Sequence, residues 1–84
     1  MDDRATERWH FGDRFYAITL ASAPDSMDLE LDDLERIEQG PLMIASRDDE
    51  TGDLTARVFT DEPLPLALFE QFVSEARLRL PPNT

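Results

Sequence analysis

PLMIASRDDETGDLTARVFTDEPLPLALFEQFVSEARLRL, residues Pro41 to Leu80, decides the fold. It reads as a β-hairpin followed by one amphipathic helix. Pro41 to Arg47 is a short apolar run, and Leu54 to Thr60 alternates apolar and polar residues. A period of two puts Leu54, Ala56 and Val58 on one face of a strand, with Thr55, Arg57 and Phe59 on the other. Between the runs lies Asp48 to Asp53, where Gly52 takes the positive φ that a bulged hairpin loop needs. Pro63 and Pro65 punctuate the next segment. Proline fits the first turn of a helix, where its missing N–H has no intrahelical partner. The spacing therefore predicts a helix from about Pro65, with Leu66, Phe69, Phe72, Val73, Ala76 and Leu80 on one stripe. Asp61 and Glu62 before it, and Arg77 and Arg79 in its last turn, suit the helix dipole. Pro81-Pro82 stops it. Leu68 and Leu78 fall off the stripe, so either the buried face is wide or these two leucines touch a partner.

Upstream the chain supplies more sheet for that helix to cover. Arg8-Trp9-His10-Phe11, Gly12-Asp13 and Arg14 to Leu20 read as strand, two-residue turn and strand. Trp9 and Phe11 share one face, as do Tyr16, Ile18 and Leu20. Four of the seven aromatic residues sit in this hairpin, which makes it a source of core bulk. Ala21 to Ser26, with Pro24 and Asp25, reads as a turn. Met27 to Leu31 alternates strictly, as a half-buried strand does. Asp32 is placed to cap a short helix over 33–39, with Glu35 three residues on as in a capping box, and Gly40-Pro41 to end it. A rival reading makes 25–39 one continuous helix capped at Ser26, with Met27, Leu31 and Leu34 on one face.

The expected fold is thus α+β. It has a four- to five-stranded, mostly antiparallel sheet, a short helix, and a C-terminal amphipathic helix packed on one face. The 84 residues form one small domain, with 1–6 as a disordered tail.

Composition narrows the chemistry. Without cysteine there is no disulfide, thiolate nucleophile or cysteine metal site. The opening Met-Asp-Asp-Arg lacks the apolar core of a signal peptide, and no run approaches membrane-spanning length. The expectation is a cytoplasmic protein. Net charge is −11, and every basic residue is arginine. Such a bias accompanies GC-rich genomes, and acidic surfaces accompany salt adaptation. The sign still argues against direct binding to nucleic acid or an anionic membrane, both of which call for positive charge.

No catalytic residue and no cofactor is assigned. His10 is the sole histidine and sits between two aromatics. The plain reading is an outward or edge-strand histidine rather than a general base. Ser22, Ser26, Ser46 and Ser74 have no nucleophile-elbow context. Three scattered glycines make no phosphate loop. The acidic loop Asp48 to Asp53 has glycine where a calcium loop wants a ligand and lacks the distal bidentate glutamate, so no metal site is assigned either.

The most distinctive stretch is Asp25 to Glu38. Asp25, Asp28, Glu30, Asp32, Asp33, Glu35 and Glu38 stand against Arg36 alone, a net −6, over half of the whole charge. Mutual repulsion disfavours the compact state. A solvated face is the plain explanation. The functional one is a docking surface for a basic protein partner, which speeds association and enforces partner choice. Asp28, Glu30, Asp32, Asp33, Glu35 and Glu38 are the candidate partner-binding carboxylates, and Leu68 and Leu78 the candidate apolar contacts of a possible homodimer. A related reading is a nucleic-acid mimic, whose spaced carboxylates imitate phosphates and block a DNA- or RNA-binding or defence protein. An enzyme built on a carboxylate pair needs a cleft for which so small a chain has little room.

Asp49-Glu50-Thr51-Gly52-Asp53-Leu54 makes an acidic, glycine-containing turn, and Phe69-Glu70-Gln71-Phe72-Val73-Ser74-Glu75-Ala76 belongs to the helix that follows it. In this arrangement Ile44 to Leu80, under half of the chain, resembles the last third of small acidic type III secretion chaperones. The resemblance implies a non-enzymatic dimer that wraps an unfolded segment of a secreted partner. From residues and resemblance together, the expected function is a small acidic protein–protein interaction protein of chaperone, immunity or inhibitor type.

Overall fold

Two-residue turns join the first three strands, and longer loops return the fourth and fifth, each beside the strand before it. The computed structural model, which describes residues 5–80, contains β1 (Ala5–Phe11), β2 (Arg14–Ala23), β3 (Ser26–Asp33), β4 (Met43–Asp48), β5 (Leu54–Val58) and α1 (Leu66–Arg79). The strands form one antiparallel sheet in the order β1-β2-β3-β4-β5, and the expected α+β class holds.

Gly12, at φ 61°, turns β1 into β2, and Gly52, at φ 77°, closes the loop before β5. The β2–β3 turn is tighter than the expected Ala21–Ser26. β2 runs on through Ala23, Ala23 pairs with Ser26, and only Pro24 and Asp25 turn. Proline presets φ for the first corner of such a turn. The strand also starts earlier than expected, since Ala5 and Thr6 lie in β1 and Thr6 shares a hydroxyl contact with Thr19. The rest of the proposed tail, 1–4, lies outside the described residues.

The 25–39 segment is strand first. β3 extends to Asp33, which rules out the continuous helix, and the expected short helix shrinks to a 3₁₀ turn at Ile37–Gln39. Asp32 therefore lies in the strand instead of capping. Asp33 closes the turn, its Oδ1 accepting the Glu35 N–H at 2.9 Å and its carbonyl accepting the Arg36 N–H at 3.0 Å. The physical reason is pairing on both sides. β3 is the central strand and has ladders to β2 and β4, which one short turn of helix cannot match.

Trp9, Tyr16, Ile18, Leu29, Leu31, Met43 and Ala45 meet Leu68, Phe72, Ala76 and Leu80 in one core. α1 begins where expected, but its buried stripe is rotated. Leu68 is fully buried, whereas Leu66 is 71% exposed and Phe69 40%. Arg79 ties the far end of the helix down, bonding Glu75 at 2.8 Å and reaching Glu7 on β1. Five strands span roughly 19 Å and one helix is about 10 Å wide, so α1 covers about half of the sheet. It leaves every residue of β5 exposed.

Candidate interaction surface

Strand alternation sorts the acidic segment. Along β3, Leu29, Leu31 and Asp33 are buried toward α1. Asp28, Glu30 and Asp32 have the opposite parity and lie on the open face, in line down the middle of the sheet. Successive members are about 7 Å apart by strand rise. Register shows what surrounds them. Asp32 is level with Ala17 and Arg8, Glu30 with Thr19, Ile44 and Arg57, and Asp28 with Ala21, Ser46 and Thr55. The three carboxylates are half-buried beside small neighbours on β2, of which Ala17 and Thr19 are themselves buried between the longer side chains.

Four of the eight arginines are engaged elsewhere. Arg14, Arg36, Arg47 and Arg79 pair with Asp33 and Glu35, Glu62, Asp49, and Glu7 and Glu75. Among the described residues, neither Asp28 nor Glu30 is in an ion pair, and Asp28 accepts only the Ser26 hydroxyl, at 3.3 Å. Arg57 stands in Glu30's row two strands away, about 10 Å, near the screening length of physiological salt.

The other expected docking carboxylates are not on this face. Asp33 is 4% exposed and faces α1, with Arg14 Nη1 2.6 Å from its Oδ2. A partner on the open face cannot reach it, because a one-residue step along a strand reverses the side. Glu35 lies in the turn beside Arg14, 3.7 Å away, and Glu38 is exposed on the 3₁₀ turn. Leu68 is corrected too, since its full burial makes it core rather than an exposed dimer contact, while Leu78 is 72% exposed.

Beside Asp33, a cleft of about 440 Å³ is lined by Phe11, Tyr16, Leu42 and Leu64. Burial first, and then the charge of Asp33, push the Tyr16 phenol above its ordinary range. At the β4–β5 tip the Asp48 carboxylate accepts the backbone N–H groups of Thr51, at 3.1 Å, and Glu50, at 2.8 Å. These two bonds, Thr51's the larger, hold its pKa below the usual value. The loop's first carboxylate thus shapes the loop itself. Among the described residues no group of three or more His, Asp or Glu is placed to hold a metal ion.

One cluster escaped sequence reasoning. His10 stacks on Phe15 with ring centroids 4.5 Å apart, and the Arg8 guanidinium lies 5.6 Å from the Phe15 centroid. The three share the open face at the β1–β2 end. Their parity in the first hairpin was the available signal, because Arg8 and His10 alternate with Trp9 and Phe11. Among the described residues no helix is long and apolar enough to cross a membrane. No protein-family model, curated protein or solved structure matches this chain.

Proposed function

We propose that the chain is a non-enzymatic interaction protein of chaperone, immunity or inhibitor type, acting in the cytoplasm, that docks a basic protein partner on the open face of its sheet. The line Asp28, Glu30 and Asp32 carries this reading. Three carboxylates lie on one face of the central strand, which is paired on both sides, and two of them have no ion pair among the described residues. A rigid line of one sign steers an oppositely charged partner and fixes its register, with little cost in ordering. Arg8 and the His10–Phe15 stack, at one end of the same face, add a flat surface for a side chain of the partner.

The test is to recover the partner from the host and compare association rates for the wild type and the Asp28→Lys, Glu30→Lys, Asp32→Lys triple variant. The expected result is at least a tenfold slower association and loss of its salt dependence. An unchanged rate and salt response would reject the reading. A second reading, the nucleic-acid mimic, draws on the same line, because carboxylates at a regular spacing of about 7 Å resemble the even negative charge of a phosphate backbone. It requires DNA or RNA to displace the partner at low salt, and lack of displacement leaves the protein-docking reading alone.

A further inference from the structure

We propose that two copies of the chain join edge to edge through β5, antiparallel, with Ala56 facing Ala56 of the second copy, so that the two sheets become one. The sheet has two edges, and they are unlike. β1 carries Glu7 and Arg8, and Glu7 is held by Arg79 of α1. Such charges and ties are how proteins blunt an edge. β5 has neither. It is straight-running Leu54-Thr55-Ala56-Arg57-Val58, every residue exposed, without proline or a carboxylate. From Leu54 to Thr60 the only charge is Arg57, in a chain with 19 Asp and Glu, so a seam along β5 sets no carboxylate of one strand against a carboxylate of the other.

The order of residues selects a second copy over an unrelated strand. Read in either direction from Ala56, the strand runs apolar, polar, apolar. A twofold antiparallel copy therefore sets Leu54 against Val58, Ala56 against Ala56 and Thr55 against Arg57, and every apolar side chain falls on the same face of the joined sheet. That face is the one on which α1 packs, and α1 stops short of β5. Leu54 and Val58 are 39% and 55% exposed, and a groove of about 430 Å³ runs beside Leu54 between Ala45, Ala56, Phe72 and Val73. A five-residue seam is small beside the roughly 800 Å² per partner of a standard interface, so the pairing is concentration-dependent. In the pair, the two lines of open-face carboxylates lie on one continuous surface, about 24 Å apart.

The absence of cysteine makes the register directly testable. Opposed residues in an antiparallel pair have Cα atoms about 4.5–5.5 Å apart, within disulfide reach. In the proposed register two copies of residue 58 are about 14 Å apart, well beyond it. Under mild oxidation Ala56→Cys is expected to become a covalent dimer at concentrations where Val58→Cys does not. By light scattering the wild type should rise from 9.6 kDa toward twice that mass with concentration. Leu54→Lys, at an exposed position that leaves the core intact, should shift that rise at least tenfold higher in concentration, while Glu30→Gln should leave it in place, which separates this seam from the docking face. A wild type that stays at 9.6 kDa throughout overturns the proposal, as does equal cross-linking of the two cysteine variants.

Discussion

At the scale of single residues, Tyr16 is a reporter of the core. It is the only tyrosine, and it is 3% exposed, with Asp33 opposite it on β3. Burial disfavours the phenolate, and so does the neighbouring carboxylate. Its pKa in the folded chain is therefore above the ordinary value near 10. The unfolded chain releases this proton first, so above pH 10 the unfolded state binds fewer protons and stability falls as pH climbs toward the folded pKa. Below pH 10 the contribution is fully present. Following the tyrosinate absorbance should show a single transition displaced upward in buffer and returned to about 10 in concentrated urea. A transition at the ordinary value in both would mean that the ring is in water. Asp33 shows the same logic from the other side. It tolerates burial because Arg14 and the Glu35 N–H occupy its oxygens.

At the scale of elements, α1 is held by its rotated stripe. Leu68 and Phe72 are buried against the sheet, and Leu78 points away. Leu68→Ala should destabilise the domain by about 2–5 kcal/mol and Phe72→Ala by about 3–5, whereas Leu78→Ala should stay within about 0.5 kcal/mol. Urea midpoints at constant m value provide the comparison. If Leu78→Ala proved as costly as Leu68→Ala, the helix would sit on a different face. The existence and limits of this helix were legible from Pro65, the apolar spacing and Pro81-Pro82. Its rotation was not. The expected stripe joined Leu66, Phe69 and Val73 to Phe72, Ala76 and Leu80, and Leu68, Phe72, Ala76 and Leu80 make an overlapping one beside it on the helix surface. Spacing alone treats the two as equals, and contact with β3 selects the second. Likewise the alternation of Met27 to Leu31 announced β3, while the extension to Asp33 came from the ladders on both its sides.

At the scale of the whole molecule, a net charge of −11 works against compactness, and the open face concentrates the effect. Glu30 has no ion pair among the described residues and lies between Asp28 and Asp32 on one strand face. Glu30→Gln should leave the melting temperature equal or slightly raised, by relief of repulsion, while weakening the docking of a basic partner. That combination marks a residue kept for binding rather than folding. A clear fall in melting temperature would instead assign Glu30 a structural role. Salt should raise the melting temperature of the wild type more than that of the variant, since screening acts on the same repulsion.

By itself the sequence determined what depends on neighbours along the chain. It placed the five strands, the glycine turns and the start and stop of the helix, because backbone preference and side-chain period act over a few residues. It also marked 25–38 as the place where negative charge gathers. Only the tertiary structure decided which of those carboxylates stand together. Asp28, Glu30 and Asp32 share a face while Asp33 turns inward to Arg14, because the length of β3 sets the parity and its two flanking strands set the length. It also decided that Leu68 is core and that β5 is bare, since those outcomes depend on where a helix of one width comes to rest on a sheet twice as broad.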